Sequence, residues 1–320
     1  MIARSRLVAA GVAVLVLAGA TGASAQAWTP PAGTGSVSVV YQQIENTGHR
    51  LTDGVLIPDG QSRTAAVGID VDYSLTDRWS LSAGLPLVFA RYIGPNPPPF
   101  SYPDVDACKC WQRGLQDVVV TARYNVVAGA LGVTPSVSVV LPSHDYNYRG
   151  EAVVGRNLRE VRLALDAGQR LDAVSDRLVL QGRYSYALVE RVLGVTNNRS
   201  NAAIEGTVLV SRRASVRGML SWQRTHGGLR TGSLPPFALP FPGDINTPDR
   251  VAEHDRLLRD NHWRVGAGAS YAFPRLDVFG AYVEFVRGTD AHAGRAFSVG
   301  VSVPFEWHLG RGTPAASAGP

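Results

Sequence analysis

The side chains with chemistry to offer are seven histidines, two cysteines and a set of charges on alternate positions of long segments. The histidines are His49, His144, His226, His254, His262, His292 and His308. None stands in HExxH spacing, which would set two imidazoles on one helix face around zinc. No serine occupies a G-x-S-x-G elbow, and no strand carries the close His and Ser pair of a barrel phospholipase. The run "HDRLLRDNHW" brings His254, Asp255, Asp260 and His262 near one another in sequence. These are metal-ligand types, but loop histidines and acids standing in water are far commoner, so no metal and no cofactor are expected. There is no phosphate-cradling loop and no basic nucleic-acid stripe. The chain therefore reads as neither an enzyme nor a partner of nucleic acid.

Cys108 and Cys110 lie in "DACKCWQRG". An oxidising compartment would permit a bond between them, although a ring with one intervening residue is hard to bring to good disulfide geometry. Two thiols alone are a weak metal set. A loop-tightening disulfide, a free pair and a metal-bound pair all remain open at this point.

The elements that must position these groups begin after a leader. Arg4 and Arg6 precede the apolar run from Leu7 to Ala20, and Ala23-Ser24-Ala25 offers a small-x-small cleavage site. Residues 1–25 read as a secretory signal peptide, because the run is shorter than the ~20 apolar residues that span a bilayer. Its removal takes two arginines and no acids, leaving 29 basic against 26 acidic residues and a net charge of +3. That balance is too weak to imply a polyanionic partner.

Twelve strands are expected, near 35–45, 62–75, 79–92, 115–126, 132–143, 157–170, 177–189, 201–211, 215–226, 260–273, 276–287 and 296–308. Apolar and polar residues alternate along them. Val67, Ile69, Val71, Tyr73 and Leu75 oppose Gly68, Asp70, Asp72 and Ser74. Val161, Leu163 and Leu165 oppose Glu160, Arg162 and Asp166. Most strands reach the ~9–11 tilted residues that cross a membrane. Short connections (76–78, 127–131, 172–177, 212–214, 274–275) alternate with long ones (46–61, 93–114, 144–156, 190–200, 227–259, 288–295). In an up-and-down meander this places brief periplasmic turns on one rim and extended outer loops on the other. Aromatic residues near strand ends, among them Trp79, Tyr92, Tyr124, Trp263, Phe279, Phe285 and Trp307, are expected to form girdles at both interfaces. The expected fold is all-β, a twelve-stranded antiparallel up-and-down transmembrane barrel over 26–309, with a flexible tail over 310–320. The expected place is the bacterial outer membrane, with its lipid as partner; oligomeric state is not legible.

The inward positions then become the functional surface. Alternation places Asp70, Asp72, Asp117, Arg123, Glu160, Arg162, Asp166, Arg183, Glu205, Arg217, Arg264, Glu284 and Glu306 in the lumen. Charges of both signs can pair into a filled structural network, or can line a wet channel that selects by field and size. Two outer loops are rich in proline and apolar groups. Phe100, Tyr102, Trp111, Phe237 and Phe241 can fold over the mouth as a greasy entry site for an apolar or aromatic solute, or can cap the barrel by packing on one another.

Three stretches carry a resemblance. "YSLTDRWSLSAGLPLVFARY" (73–92) shows a strand ending in a Leu-Thr-Asp-Arg turn, followed by a strand through Gly-x-Pro. "GLQDVVVTARYNVV" (114–127) shows a Gly-x-x-Asp strand with a basic-Tyr pair near its end, and "PSVSVVLPS" (135–143) follows it. This resembles the outer-membrane barrels linked to the meta-cleavage pathway of phenol degradation, most clearly over 62–143. The resemblance implies a transporter of aromatic or other apolar compounds, with Asp117 and Arg123 at recurring inward polar positions. The expected function is passive uptake of a small solute, with a filled structural or adhesive barrel that displays its loops as the alternative.

Overall fold

A side-chain pattern of period two commits a segment to a strand whose two faces need different surroundings. In the computed structural model, which describes residues 27–58, 60–94, 106–232, 244–245 and 247–307, the sheet meets this demand by closing on itself. The strands are β1 (Thr34–Arg50), β2 (Leu56–Ile57), β3 (Ser62–Ser74), β4 (Trp79–Tyr92), β5 (Gln112–Leu115), β6 (Asp117–Tyr124) and β7 (Leu131–Pro142), followed by β8 (Glu160–Arg170) and β9 (Leu178–Val189). The second half holds β10 (Asn197–Leu209), β11 (Ala214–Gly227), β12 (Asn261–Ala272), β13 (Asp277–Thr289) and β14 (Ala291–Glu306).

Both β5 and β6 pair with β4, so they form one wall strand broken at Gln116, whose N–H reaches the Pro86 carbonyl at 2.9 Å. The short β2 is an appendage of β1. Twelve wall strands remain, each antiparallel to its neighbours, and β14 returns to β1 along a register running from Thr34 opposite Glu306 to Arg50 opposite Ala291. The protein is a closed twelve-stranded antiparallel barrel.

The two faces divide as the alternation requires. On β1, Val37, Val39 and Tyr41 are exposed while Ser38 and Val40 are buried. On β3, Ile69 is 53 % exposed and heads an outward row with Val67 and Val71. Leu163 and Leu165 on β8, Val137 and Val139 on β7, and Val301 and Val303 on β14 continue this belt. Outward aromatic rings gather at its ends. Trp79 lies 4.8 Å from Tyr124 and Tyr73 lies 6.2 Å from Phe305 at the short-turn end, and Trp222 faces Trp263 at 6.3 Å toward the long loops. A continuous apolar belt with rings at both rims is the surface that hydrocarbon between two headgroup layers demands. Among the described residues no helix is long and apolar enough to cross a membrane.

Several expectations need correction. The connection expected at 288–295 is a one-residue turn at Asp290, which adopts φ +51°. Asp tolerates this conformation because its short side chain can bond locally. As a result β1 and β14 run to 17 and 16 residues and the wall stands taller there. The long 227–259 connection is not purely irregular, since it contains α1 (Pro248–Ala252) and α2 (His254–Leu257).

The largest error is on β13. Phe279, Ala281 and Val283 are buried, whereas Tyr282 and Val286 are exposed. Glu284 therefore faces outward, accepting a hydrogen bond from the Tyr282 hydroxyl beside the cross-strand position of Arg295. This strand carries apolar residues on both faces, so its alternation does not choose a side, and an inverted assignment moves every side chain. Phe279 and Phe285 consequently leave the girdle for the interior. Tyr92 also turns inward and is fully buried.

Replacing outward Ile69 with Arg near the middle of β3 should destabilise the barrel by about 2–4 kcal/mol. Asp70→Asn on the opposite face should lack that lipid-facing penalty. Urea unfolding in lipid vesicles measures both.

Candidate functional site

The lumen has two unlike walls. From β3 to β12 most strands place charge inward, while β4 and β7 between them present hydroxyl, small and apolar residues such as Ser80, Val88, Thr134 and Ser136. Asp166 on β8 accepts from Arg183 on β9, with Nη1 to Oδ2 at 3.0 Å. Glu160, 4 % exposed, accepts from Arg162 at 2.9 Å and from Arg199 at 2.5 Å, with Arg156 at 3.7 Å. Arg217 stands 4.0 Å from Glu205 across β10 and β11. Asp70, Asp72, Arg123 and Arg264 share this inner surface with buried hydroxyls such as Thr121 and Ser138, which bond to each other at 2.8 Å. Across β13, β14 and β1 the inner surface is uncharged between the rims. Phe279, Ala281 and Val283 lie beside Ala296, Ser298, Gly300, Ser38 and Val40.

At the short-turn end, residues 27–33 cross the barrel mouth. Gly33 donates to the Ser74 carbonyl at 2.8 Å, Ala32 N–H bonds Asp77 at 2.9 Å, and the chain reaches the far wall at Ala27, which is 1 % exposed. There the Ala27 carbonyl accepts from Asn125 at 3.0 Å and Thr134 at 2.9 Å, and its N–H reaches Gln181 at 3.4 Å. Two glycines make the seat. A Cβ on Gly132 would lie 2.5 Å from the Ala27 oxygen, and one on Gly168 would lie 2.6 Å from the Trp28 ring. This strap bears no motif, and only the structure reveals it.

At the long-loop end, described parts of the connections form a cap packed against the barrel wall. Leu229 and Leu257 from the β11–β12 connection join Leu158, Ala187 and Val189 in an apolar cluster. Arg156 donates to the Arg256 carbonyl at 2.6 Å and to Asn197 at 2.8 Å, and Asn197 donates to the Leu258 carbonyl at 3.1 Å. Asp290, at the one-residue turn, accepts from the hydroxyls of Thr52 (2.6 Å) and Thr231 (3.1 Å) and from the Thr231 N–H (2.9 Å), which ties three connections together. The Tyr146 hydroxyl donates to Asp117, so this lumen acid is met by the cap. Burial, with the Asp117 carboxylate, pushes the Tyr146 phenol well above its ordinary value.

The expected neighbours in "HDRLLRDNHW" separate into two sets. Asp260 bonds His262 at 3.0 Å, and although burial opposes it, that ring holds the Asp260 carboxyl well below the usual carboxylate range. His254 turns to Glu151 at 3.1 Å and to Asp255 at 3.2 Å. Burial alone would lower its pKa, but the two carboxylates outweigh burial and hold it up to about 10. His292 also reaches Asp255, at 3.1 Å. Glu151, His49 and His292 were invisible as partners in the sequence because they lie on three distant segments.

Of the remaining expected residues, Glu306 lies exposed at the short-turn rim and Glu284 stands outside the barrel. Trp111 is exposed, with the Arg91 guanidinium 4.7 Å from its ring centre. Cys108 and Cys110 approach as a bonded pair with Cα atoms 5.2 Å apart. Phe100, Tyr102, Phe237 and Phe241, like the expected signal peptide over 1–25 and the expected tail over 310–320, lie outside the described residues.

No protein-family model matches the sequence, and no curated protein matches it. By fold, the chain is similar to an outer membrane channel from Pseudomonas putida, with 14 % sequence identity over 88 % of this chain and 98 % of that one and a TM-score of 0.65. The β domain of the Bordetella autotransporter BrkA (12 % identity, 85 % of this chain, 100 % of that chain, TM-score 0.49) and the NanC porin (11 %, 83 %, 98 %, 0.47) overlap less well. What the first of these likenesses shares with the chain is the barrel fold.

Glu160→Ala should destabilise the barrel by about 3–5 kcal/mol, because it strands buried guanidinium groups without their carboxylate. Glu160→Gln should cost less, since it keeps two hydrogen-bond acceptor sites. Unfolding midpoints in lipid vesicles compare the two.

Proposed function

We propose that this chain is a channel of the bacterial outer membrane that lets a small solute pass passively. One observation carries the reading: a closed wall that is apolar outside and lined inside with charges, hydroxyls and small residues. Hydrocarbon satisfies the outer face, and a wet lumen suits the polar surface within. The fold likeness to the Pseudomonas putida channel supports the same reading. The short turns would face the periplasm and the cap the outside.

The solute class follows from the two-walled lumen. A small molecule with an aromatic or aliphatic body and one polar group can run along Phe279, Ala281 and Val283 without breaking the ion pairs opposite. The resemblance of 62–143 to barrels of the phenol meta-cleavage pathway supports an aromatic solute. Phe100, Tyr102, Trp111, Phe237 and Phe241 would form the apolar entry. Passage needs no cofactor and no energy coupling.

The strap and the cap favour a second reading, in which the barrel is filled and only displays its loops. Single-channel recording in planar bilayers separates the two. The channel reading expects resolved conductance steps in the full protein and a several-fold rise on deletion of residues 27–33, which frees the mouth. Silence in both proteins would establish the filled barrel. In vesicles, benzoate should enter faster than an uncharged sugar of similar size, and Phe237→Ala with Phe241→Ala should slow benzoate.

A further inference from the structure

Four ligand-type side chains from four segments distant in sequence converge at the capped mouth. A register shift on β1 between Asn46 and Gly48 sets His49 directly opposite His292 on β14. Without the extra residue, His49 would share the outward parity of Tyr41 and Glu45, so the bulge is what turns its imidazole inward. The two rings lie 4.3 Å apart, centre to centre. Glu151 descends from the β7–β8 connection and Asp255 from α2. One ligand atom from each of the four lies within 4.8 Å of every other. His49 is 6 % exposed, and the side chains of Glu151, Asp255 and His292 are 14 %, 7 % and 18 % exposed.

We propose that His49, Glu151, Asp255 and His292 bind one divalent transition-metal ion, with Zn2+ as the ligand class that suits them, and so bolt the β1–β14 wall to the cap. Two neutral imidazoles and two carboxylates supply the nitrogen and oxygen donors of a four-coordinate zinc site, and their charge cancels that of the ion. Bonds of ~2.0–2.2 Å set ligand atoms about 3.3 Å apart, so modest side-chain rotation closes the present spacing.

Three further features fit this assignment better than an ion-pair network alone. Glu151 Oε2 is buried with no hydrogen-bond partner among the described residues, although Oε1 of the same group is engaged by His254. His254 Nε2 touches both carboxylates, at 3.1 and 3.2 Å, which is the orienting contact that metal-binding carboxylates receive from groups behind them. Gly60, at φ +68°, packs against the pair from the side. A Cβ there would fall 2.0 Å from His49 Cε1 and 2.7 Å from Glu151 Oε2. The backbone thus allows the two ligands to meet only because this residue has no side chain.

The test uses the full protein, purified in detergent and stripped with a chelator. Titration calorimetry with Zn2+ should show one equivalent bound, confirmed by elemental analysis after dialysis. His49→Ala with His292→Ala should abolish that equivalent, and His254→Gln should weaken it by about 10–100-fold. His144→Ala and His226→Ala should leave it intact. Co2+ bound to the unmutated protein should show the strong visible absorption of tetrahedral nitrogen and oxygen coordination, a readout that does not depend on any variant folding. The proposal is overturned if the unmutated protein takes up no stoichiometric Zn2+ and gives no such spectrum, or if the double variant, with its β-sheet circular dichroism intact, binds as before.

Discussion

An amide or carbonyl facing hydrocarbon with no partner costs several kcal/mol, and a sheet with free edges carries a whole row of them. The return of β14 to β1 removes that row. It is the longest pairing among the described residues, running from Thr34 to Arg50. Everything else about the protein follows from it. Once the wall is a cylinder, alternate residues are sorted between lipid and lumen, the connections are sorted between two rims, and side chains far apart in sequence are delivered to a shared interior.

The barrel was legible in the sequence because its cause is local and repeated. Val67, Ile69 and Val71 against Asp70 and Asp72 state their faces within five residues, and most of the wall speaks in the same way. Legibility failed where the local signal was mute. On β13 both faces are apolar, so the alternation that placed Glu284 in the lumen had no side to choose, and the residue landed on the wrong one. The Asp290 turn was missed because Gly, His and Ala around it read as loop, while its stability comes from Thr52 and Thr231, which are remote in sequence.

The site followed the same rule. Inward charges such as Asp166 and Arg183 could be placed by parity alone. The strap could not, since its seat is Gly132 and Gly168 on strands half a barrel away. Nor could the cluster of His49, Glu151, Asp255 and His292, because a single inserted residue near Asn46 decides which way His49 points. Parity carries through a regular strand and is lost at each irregularity, and here the irregularities lie next to the groups with chemistry to offer. The lumen's division into a charged arc and an uncharged one was likewise hidden by the inversion of β13.

The taller wall has a mechanical consequence. Outside it, beyond Tyr41, Glu45 pairs with Arg63 at 2.8 Å and with Arg295 at 2.9 Å, and Glu284 stands beside them. These charges cannot sink into the oily layer without losing their water, and the apolar belt beneath them cannot rise out of it. The cluster therefore acts as a draught mark on a hull. It marks how deep the cylinder could ride on that flank, as a waterline does.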